Sequence, residues 1–369
     1  MKTAISGYSL FRNTFLLASV LLLLRCAGPA QKEQIPAEPV TQPEPAAPEA
    51  DDAEVSLVLA NQAASNGNYT EAARILENQL GSTPENIEVL RLLAQVYAAA
   101  GRAGRSSQIW KRIYSLDRAD PDAAYEVASG MAENENWQGV RESLREVQAA
   151  GEADQRHYLM LGEASLNLGF KSSAEEYLKK AGGLERAETL LGELYYGRRK
   201  YSRAEKTFRA VLEKDPDNYS ANLHLGYINY RRKDYRPALR HYRRAVEAAP
   251  RSAHARLSLA ALYRAMGKDD AAIETFRKGL NLPGVPRDEG RRAYNTLCLL
   301  LLKNGRYGET IRTAGKGAEK YPGSGGLYYY WGIALYKTGR LAEAKAKFKK
   351  ASRDPLWKDE ALKKFHAIR

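Results

Sequence analysis

"YSANLHLGYINYRRKDYRPALRHYRRAVEAAP", residues 219–250, holds one complete unit of a pattern that recurs along the chain. It reads as two helices. Gly226 stands in the middle of the first, while Ala238 and Tyr242 are four residues apart and share one face of the second. Pro250 ends that second helix, because it lacks the amide that the next turn would need. Small residues at 226 and 238 let two antiparallel helices approach closely, and a larger side chain there costs about 1–3 kcal/mol. Tyr242 is expected to fill the gap against the next pair of helices.

Working outward, the same places return at a spacing of 34: Ala204, Ala238 and Ala272; Phe208, Tyr242 and Phe276; Gly192 and Gly226; Pro216 and Pro250. Nine units follow, beginning near Ala53, Ile87, Pro121, Gln155, Glu185, Tyr219, Ala253, Arg291 and Gly325. The second and third are degenerate, with Ser106 and Val140 where Ala is expected, although Leu93, Ala94 and Trp110 keep the packing pattern. The fourth is four residues short at "KKAGGLERAE" (179–188), and four extra residues precede the eighth at "NLPGVPRDEG" (281–290). Both joints are expected to bend or loosen the stack. After the ninth unit, "PLWKDEALKKFHAIR" is amphipathic and reads as a cap over the last open face, through Leu356, Trp357, Ala361, Leu362 and Phe365.

A small residue inside a first helix, an Ala and an aromatic on a second, and a closing Pro every 34 residues together resemble the tetratricopeptide repeat. That resemblance covers nearly everything after residue 53. It implies an all-α, right-handed superhelical solenoid of about nine helix-turn-helix repeats with a C-terminal capping helix. First helices would line a concave groove and second helices would face outward. The expected groove residues are Tyr196, Tyr227, Tyr230, Arg231, His254, Arg264, Arg292, Asn295, Lys303, Tyr329, Tyr336 and Lys337. Tyr offers an apolar face with a hydroxyl, and Arg can grip a carboxylate through two parallel bonds, so the trough suits an extended acidic peptide. Leu57, Asn61, Arg91, Gln95, Tyr125 and Ser129 in the early repeats form no comparable ladder. Arg236, Arg240, Arg243 and Arg244 fall on an outer helix. The Lys/Asn clamp by which some tetratricopeptide domains hold chaperone C-termini is not reproduced in any three consecutive repeats.

The chain carries 57 Lys plus Arg against 44 Asp plus Glu. This excess is uneven. Residues 1–52 hold 4 basic and 6 acidic side chains, residues 53–184 hold 13 and 18, and residues 185–369 hold 40 and 20. An acidic front module of about four repeats, 53–184, and a basic rear module of about five, 185–355, are therefore expected, followed by the cap at 356–369. Such a rear module favours acidic partners.

At the N-terminus, Lys2 and Arg12 precede an apolar run from Phe15 to Leu24, and Cys26 follows. The run is an export signal, too short for a comfortable membrane span. A Cys directly behind it resembles a bacterial lipoprotein signal, which implies acylation of Cys26. Leu23 and Leu24 fit that pattern; Arg25 departs from the small residue expected before the Cys. The alternative is a secreted or periplasmic protein cleaved near Gly28-Pro29-Ala30, or an uncleaved anchor. Residues 27–52 are rich in Pro, Ala and Glu with no apolar period, which makes them an extended tether. With Cys26 lipidated, Cys298 has no disulfide partner; it reads as a small core residue, not a nucleophile.

No catalytic, cofactor-binding or metal-binding residue is expected, and no cofactor. His157, His224, His241, His254 and His366 show no ligand spacing. "TAGKG" around Lys316 fails the phosphate-loop pattern, since Gly317 stands where Ser or Thr is required. The expected function is a non-catalytic, envelope-anchored scaffold or adaptor for a protein partner with an acidic or extended segment. The alternative is a binder of anionic envelope surfaces, phospholipid head groups or anionic glycan, through the basic rear. An exported chain disfavours nucleic acid as the ligand.

Overall fold

The computed structural model describes residues 51–368, so the expected signal, Cys26 and most of the tether lie outside the described residues. The described residues are helical, joined by short turns and without strands. They divide into two compact units that part between Ala153 and Asp154. The change of charge at 184/185 therefore falls inside the second unit, between its first and second repeats.

The first unit contains three repeats. Helices α1 (Asp51–Ser65) and α2 (Tyr69–Ser82) form the first, and α3 (Ile87–Ala99) and α4 (Ala103–Leu116) the second. In the third, α5 (Pro121–Glu133) faces a second helix broken at Leu144 into α6 (Trp137–Ser143) and α7 (Arg145–Ala150). The Ser143 hydroxyl donates back to the Gly139 carbonyl at 2.5 Å, a local bond of the kind that bends helices, and it falls at the break.

The second unit holds six repeats. They pair α8 (Gln155–Asn167) with α9 (Lys171–Lys180), α10 (Glu185–Gly197) with α11 (Tyr201–Lys214), α12 (Tyr219–Arg231) with α13 (Tyr235–Ala248), α14 (Ala253–Ala265) with α15 (Asp269–Leu280), α16 (Arg287–Lys303) with α17 (Tyr307–Lys320), and α18 (Gly325–Lys337) with α19 (Leu341–Ala351). Helix α20 (Lys358–Ala367) closes the end.

Both four-residue irregularities are absorbed as about one helical turn. The deletion shortens α9 to 10 residues, whereas complete second helices such as α13 have 14. The insertion lengthens α16 to 17 residues, against 13 in α14. Four residues are close to the 3.6 of one turn, so the buried face keeps its register across each change.

The packing rule read from the sequence is visible atom by atom. A Cβ built on Gly226 would lie 2.5 Å from Cδ1 of Tyr242, one on Gly192 2.6 Å from Cε1 of Phe208, and one on Gly332 2.8 Å from Cε1 of Phe348. Each ring thus sits over the glycine of its own repeat. Tyr242 also joins Ala255 and Leu259 of the next pair in one buried cluster, so it does both jobs. Where the small residue grows, its partner shrinks: Cys298 occupies the glycine place in the eighth repeat, and Ala314 replaces the ring.

One further position recurs. The turn between the two helices contains one left-handed residue in every repeat: Gly67, Gly101, Glu135, Gly169, Arg199, Lys233, Gly267, Gly305 and Gly339. Six are glycine, which adopts that conformation without the steric cost a Cβ brings. Glu135, Arg199 and Lys233 bear the cost.

At the C-terminus, Trp357 packs against Tyr329 and Tyr330 with ring centroids 4.9 and 5.4 Å away, Ala361 is buried, and Phe365 joins the last core cluster. The cap is therefore real, but Leu356 is 86 % exposed and takes no part in it. The residue lies in the turn before α20, so the helical face that buries Ala361 does not include it.

Candidate functional site

In the second unit, first helices of neighbouring repeats touch one another between repeats four and five, five and six, six and seven, and eight and nine. Second helices make no such mutual contact of comparable extent. The stack is thus tighter on the first-helix side, which is its inner face. At the step before α16, where the insertion lies, the first helices meet through His254 of α14 and Glu289 of α16.

At the fifth and sixth repeats the inner face is built around Tyr196. Its ring stands edge-on to His224 at 4.5 Å, to Tyr227 at 5.4 Å and to Tyr201 at 5.7 Å. His224 lies flat against Phe208 at 5.0 Å, and its Nδ1 is 2.9 Å from the Ser220 carbonyl. Burial pushes the His224 imidazole down, which keeps it neutral at pH 7 and makes Nδ1–H the donor to that carbonyl. Burial also raises the Tyr196 phenol above its ordinary range. Arg231 lies over the Tyr201 ring, 4.7 Å from its centroid, and donates to the Tyr201 hydroxyl. Tyr227, at the edge of this cluster, remains 38 % exposed.

Toward the fourth repeat the face becomes a line of half-buried carboxylates. Arg186 Nε bonds Glu163 Oε1 at 3.0 Å, and Ser220 donates to Glu193. Desolvation pushes Glu163 up to about 7 even with the guanidinium so near, and it pushes Arg186 down. These residues, with His224 and Glu289, are inner-face groups that the sequence reading missed. Their signal was available: Glu163 and Glu193 stand one repeat apart at the place that Tyr227 holds in the sixth.

The twelve expected groove residues fall into three groups. Tyr196, Tyr227 and Arg231 come together in the cluster just described. Tyr336 is 47 % exposed, and Arg264, Arg292 and Lys337 are exposed with no hydrogen bond or ion pair to any described residue. The others are engaged within the fold. Tyr230 is half-buried beside Tyr235, at 6.3 Å. His254 Nδ1 bonds Glu289, 2.9 Å away, on the turn that the insertion added to α16, and this carboxylate raises the imidazole. Lys303 pairs with Asp269 at 2.8 Å. Asn295 donates to the Arg291 carbonyl and to the Ser324 hydroxyl. Tyr329 packs on Phe348 at 5.8 Å as well as on Trp357. A continuous Tyr/Arg ladder is therefore not what the inner face presents; it is an aromatic centre, a self-paired end and a cationic end.

Two family models of the tetratricopeptide repeat match this chain, one at residues 63–129 and the other at 189–236 and 230–288. The chain is a tetratricopeptide-repeat protein. The structure extends the repeats beyond those matches, into the fourth, eighth and ninth. Among curated proteins, none matches. Of solved structures, a crystal structure of MamA is 26 % identical with a TM-score of 0.40, and the match covers 47 % of this chain and 97 % of that one. YrrB, described as a tetratricopeptide-repeat protein with an unusual peptide-binding site, is 19 % identical with a TM-score of 0.43, over 50 % of this chain and 96 % of that one.

Tetratricopeptide-repeat proteins are in general non-catalytic interaction scaffolds. Cys298 is fully buried and free, and burial pushes its thiol up to about 12. Among the described residues no cluster of three or more His, Cys, Asp or Glu could hold a metal ion, and no helix is long and apolar enough to cross a membrane.

Proposed function

We propose that the inner face of the second unit binds an extended segment of a protein partner, and that the chain is held at a bacterial cell envelope by a lipid on Cys26. The exposed Tyr227 carries this reading. A tyrosine needed only for packing is sequestered, as Tyr242 is at 2 % exposure, whereas Tyr227 faces solvent while Tyr196 holds its ring from the side. A pre-positioned aromatic loses little entropy when it takes up a ligand. Arg264, Arg292 and Lys337, in repeats seven to nine, supply unpaired cations for acidic side chains of the same segment.

A photocrosslinking residue at Tyr227, compared with one at Arg243 on the outer helix α13, tests the groove inside cells. Capture of one or two discrete proteins from position 227 alone supports it. Identical adducts from both positions, or none from 227, sink it. The anchor is checked separately: Cys26→Ser should move the protein from the membrane fraction to the soluble one, and an unchanged distribution refutes acylation.

A further inference from the structure

Helices α9 and α15 of the second unit set Lys against Glu one turn apart on their exposed faces. Lys179 pairs with Glu175 at 2.9 Å, Lys180 with Glu176 at 3.0 Å and Lys278 with Glu274 at 3.3 Å. Helix α13 holds no such pair, and its four Arg against one Glu match only the four Lys against one Glu of α19 among the second helices of this unit. Arg236, Arg240 and Arg244 stand four residues apart on one exposed stripe, and Glu247 is the one acid on the helix. Like charges at that spacing cost stability in an isolated helix. Arg244 reaches only the Pro216 carbonyl, at 3.5 Å, and Arg236 and Arg240 bond to no described residue.

The neighbouring helix α11 adds Lys206 and Arg209. Two acids stand with them on α11: Glu205, shared between Arg209 at 2.6 Å and Arg232 at 2.7 Å, and the exposed Glu213. His241, half-buried between these side chains, is pushed down first by burial and then by the charges of Arg240, Arg244 and Arg209, so the cations converge on one place. The turn into α13 contributes Lys233, where six of the other repeats place glycine in the left-handed conformation. A cation thus stands where the backbone would favour none.

We propose that this stripe of α13, with Lys206, Arg209 and Lys233 beside it, docks the second unit on an anionic phospholipid surface. No large apolar side chain of α11 or α13 is exposed. The face therefore offers charge without anchors for pockets, which suits a plane of fixed negative charge and not a folded or extended protein ligand. Each Arg or Lys held near such a surface adds to binding, and a single lipid chain with a polybasic patch holds a protein far better than either does alone. The inference rests on the envelope reading for its source of lipid, and on α13 with the neighbouring cations of α11 and the turn for its surface.

The test uses the full chain carrying Cys26→Ser, so that no acyl group contributes. It is sedimented with phosphatidylcholine vesicles, with and without phosphatidylglycerol, at low and high salt. Binding should need phosphatidylglycerol and fall with salt, and R236E/R240E/R244E should weaken it on the order of 100-fold. These residues are exposed, and an unchanged circular dichroism spectrum confirms that the variant folds. R264E/R292E on the inner face should leave vesicle binding as it was, and the triple variant should keep the Tyr227 crosslink, so the two readings fail separately. Equal binding to neutral vesicles, no loss in the triple variant, or a preference for soluble anionic glycan or nucleic acid over vesicles would overturn the proposal.

Discussion

Gly226 to Ala is the sharpest test of how this stack holds together. The added Cβ would lie 2.5 Å from Cδ1 and 2.7 Å from Cε1 of Tyr242, where carbon atoms normally sit about 3.5–4.0 Å apart. The ring cannot swing clear, because it is 2 % exposed and packed with Leu223, Ala255 and Leu259. Overpacking of this kind costs about 1–3 kcal/mol. Against it stands the gain of about 1 kcal/mol when Ala replaces Gly in a helix. Gly197, in the first helix of the preceding repeat, isolates that gain, since a Cβ there meets nothing within 4 Å. Gly226→Ala should therefore be less stable than Gly197→Ala by about 1–3 kcal/mol in urea melts followed by circular dichroism. Repeat stacks can open one segment at a time, so hydrogen exchange of α12 and α13 supplies the local readout. The eighth repeat shows how the clash is relieved: Gly226→Cys combined with Tyr242→Ala copies the Cys298 and Ala314 pair, and should be more stable than the sum of the single changes by about 0.5–3 kcal/mol. Equal effects of the two alanine substitutions would refute the reasoning.

Three other outcomes are expected. Trp357→Ala removes the ring that covers Tyr329 and Tyr330 and should destabilise the last repeat by about 1–3 kcal/mol, read as faster exchange in α18 with little change in α10 to α13. Cys298 should resist a thiol reagent in the native protein and react once urea unfolds it; fast native labelling would contradict its burial and raised thiol. Because Glu289 raises His254, their pairing contributes stability that is fully present below the ordinary imidazole value of 6.5 and is lost as pH rises through the raised one. The His254 resonance should titrate above 6.5, and Glu289→Gln should move the midpoint down.

The spacing of 34 revealed the fold because packing of one small residue against one ring has a sequence signature that does not depend on distant partners. Gly192, Gly226, Phe208 and Tyr242 could be read for that reason. The left-handed turn was equally periodic, but its pattern is hidden where Glu135, Arg199 and Lys233 replace glycine. Insertions and deletions were legible in position but not in the form they take. A change of four residues looks like a loosened joint in sequence, yet a helix takes it up as a turn, and in α16 that turn brings Glu289 to His254. The inner face was the least legible part. Arg186 and Glu163 are 23 residues apart, and nothing local distinguishes a half-buried carboxylate in such a pair from one on a solvated face. Tyr329 looked available because the residue that covers it, Trp357, belongs to the cap.

The two faces of the second unit handle the same excess of cations in opposite ways, and this bears on how each would bind. On the inner face, Arg186 is matched by Glu163, Lys303 by Asp269 and His254 by Glu289, and Arg231 lies on an aromatic ring. A ligand seated there gains mainly from Tyr196, Tyr227 and the few unpaired cations, so much of its affinity should survive added salt. On α13 the arginines are left to repel one another, and only an external negative charge relieves them. Exposed charges farther apart than about 8–10 Å are largely screened at physiological ionic strength, so contact on that face must be close and its strength must fall steeply with salt. One chain can thus hold a protein segment on its inner face under conditions that release its outer face from a surface.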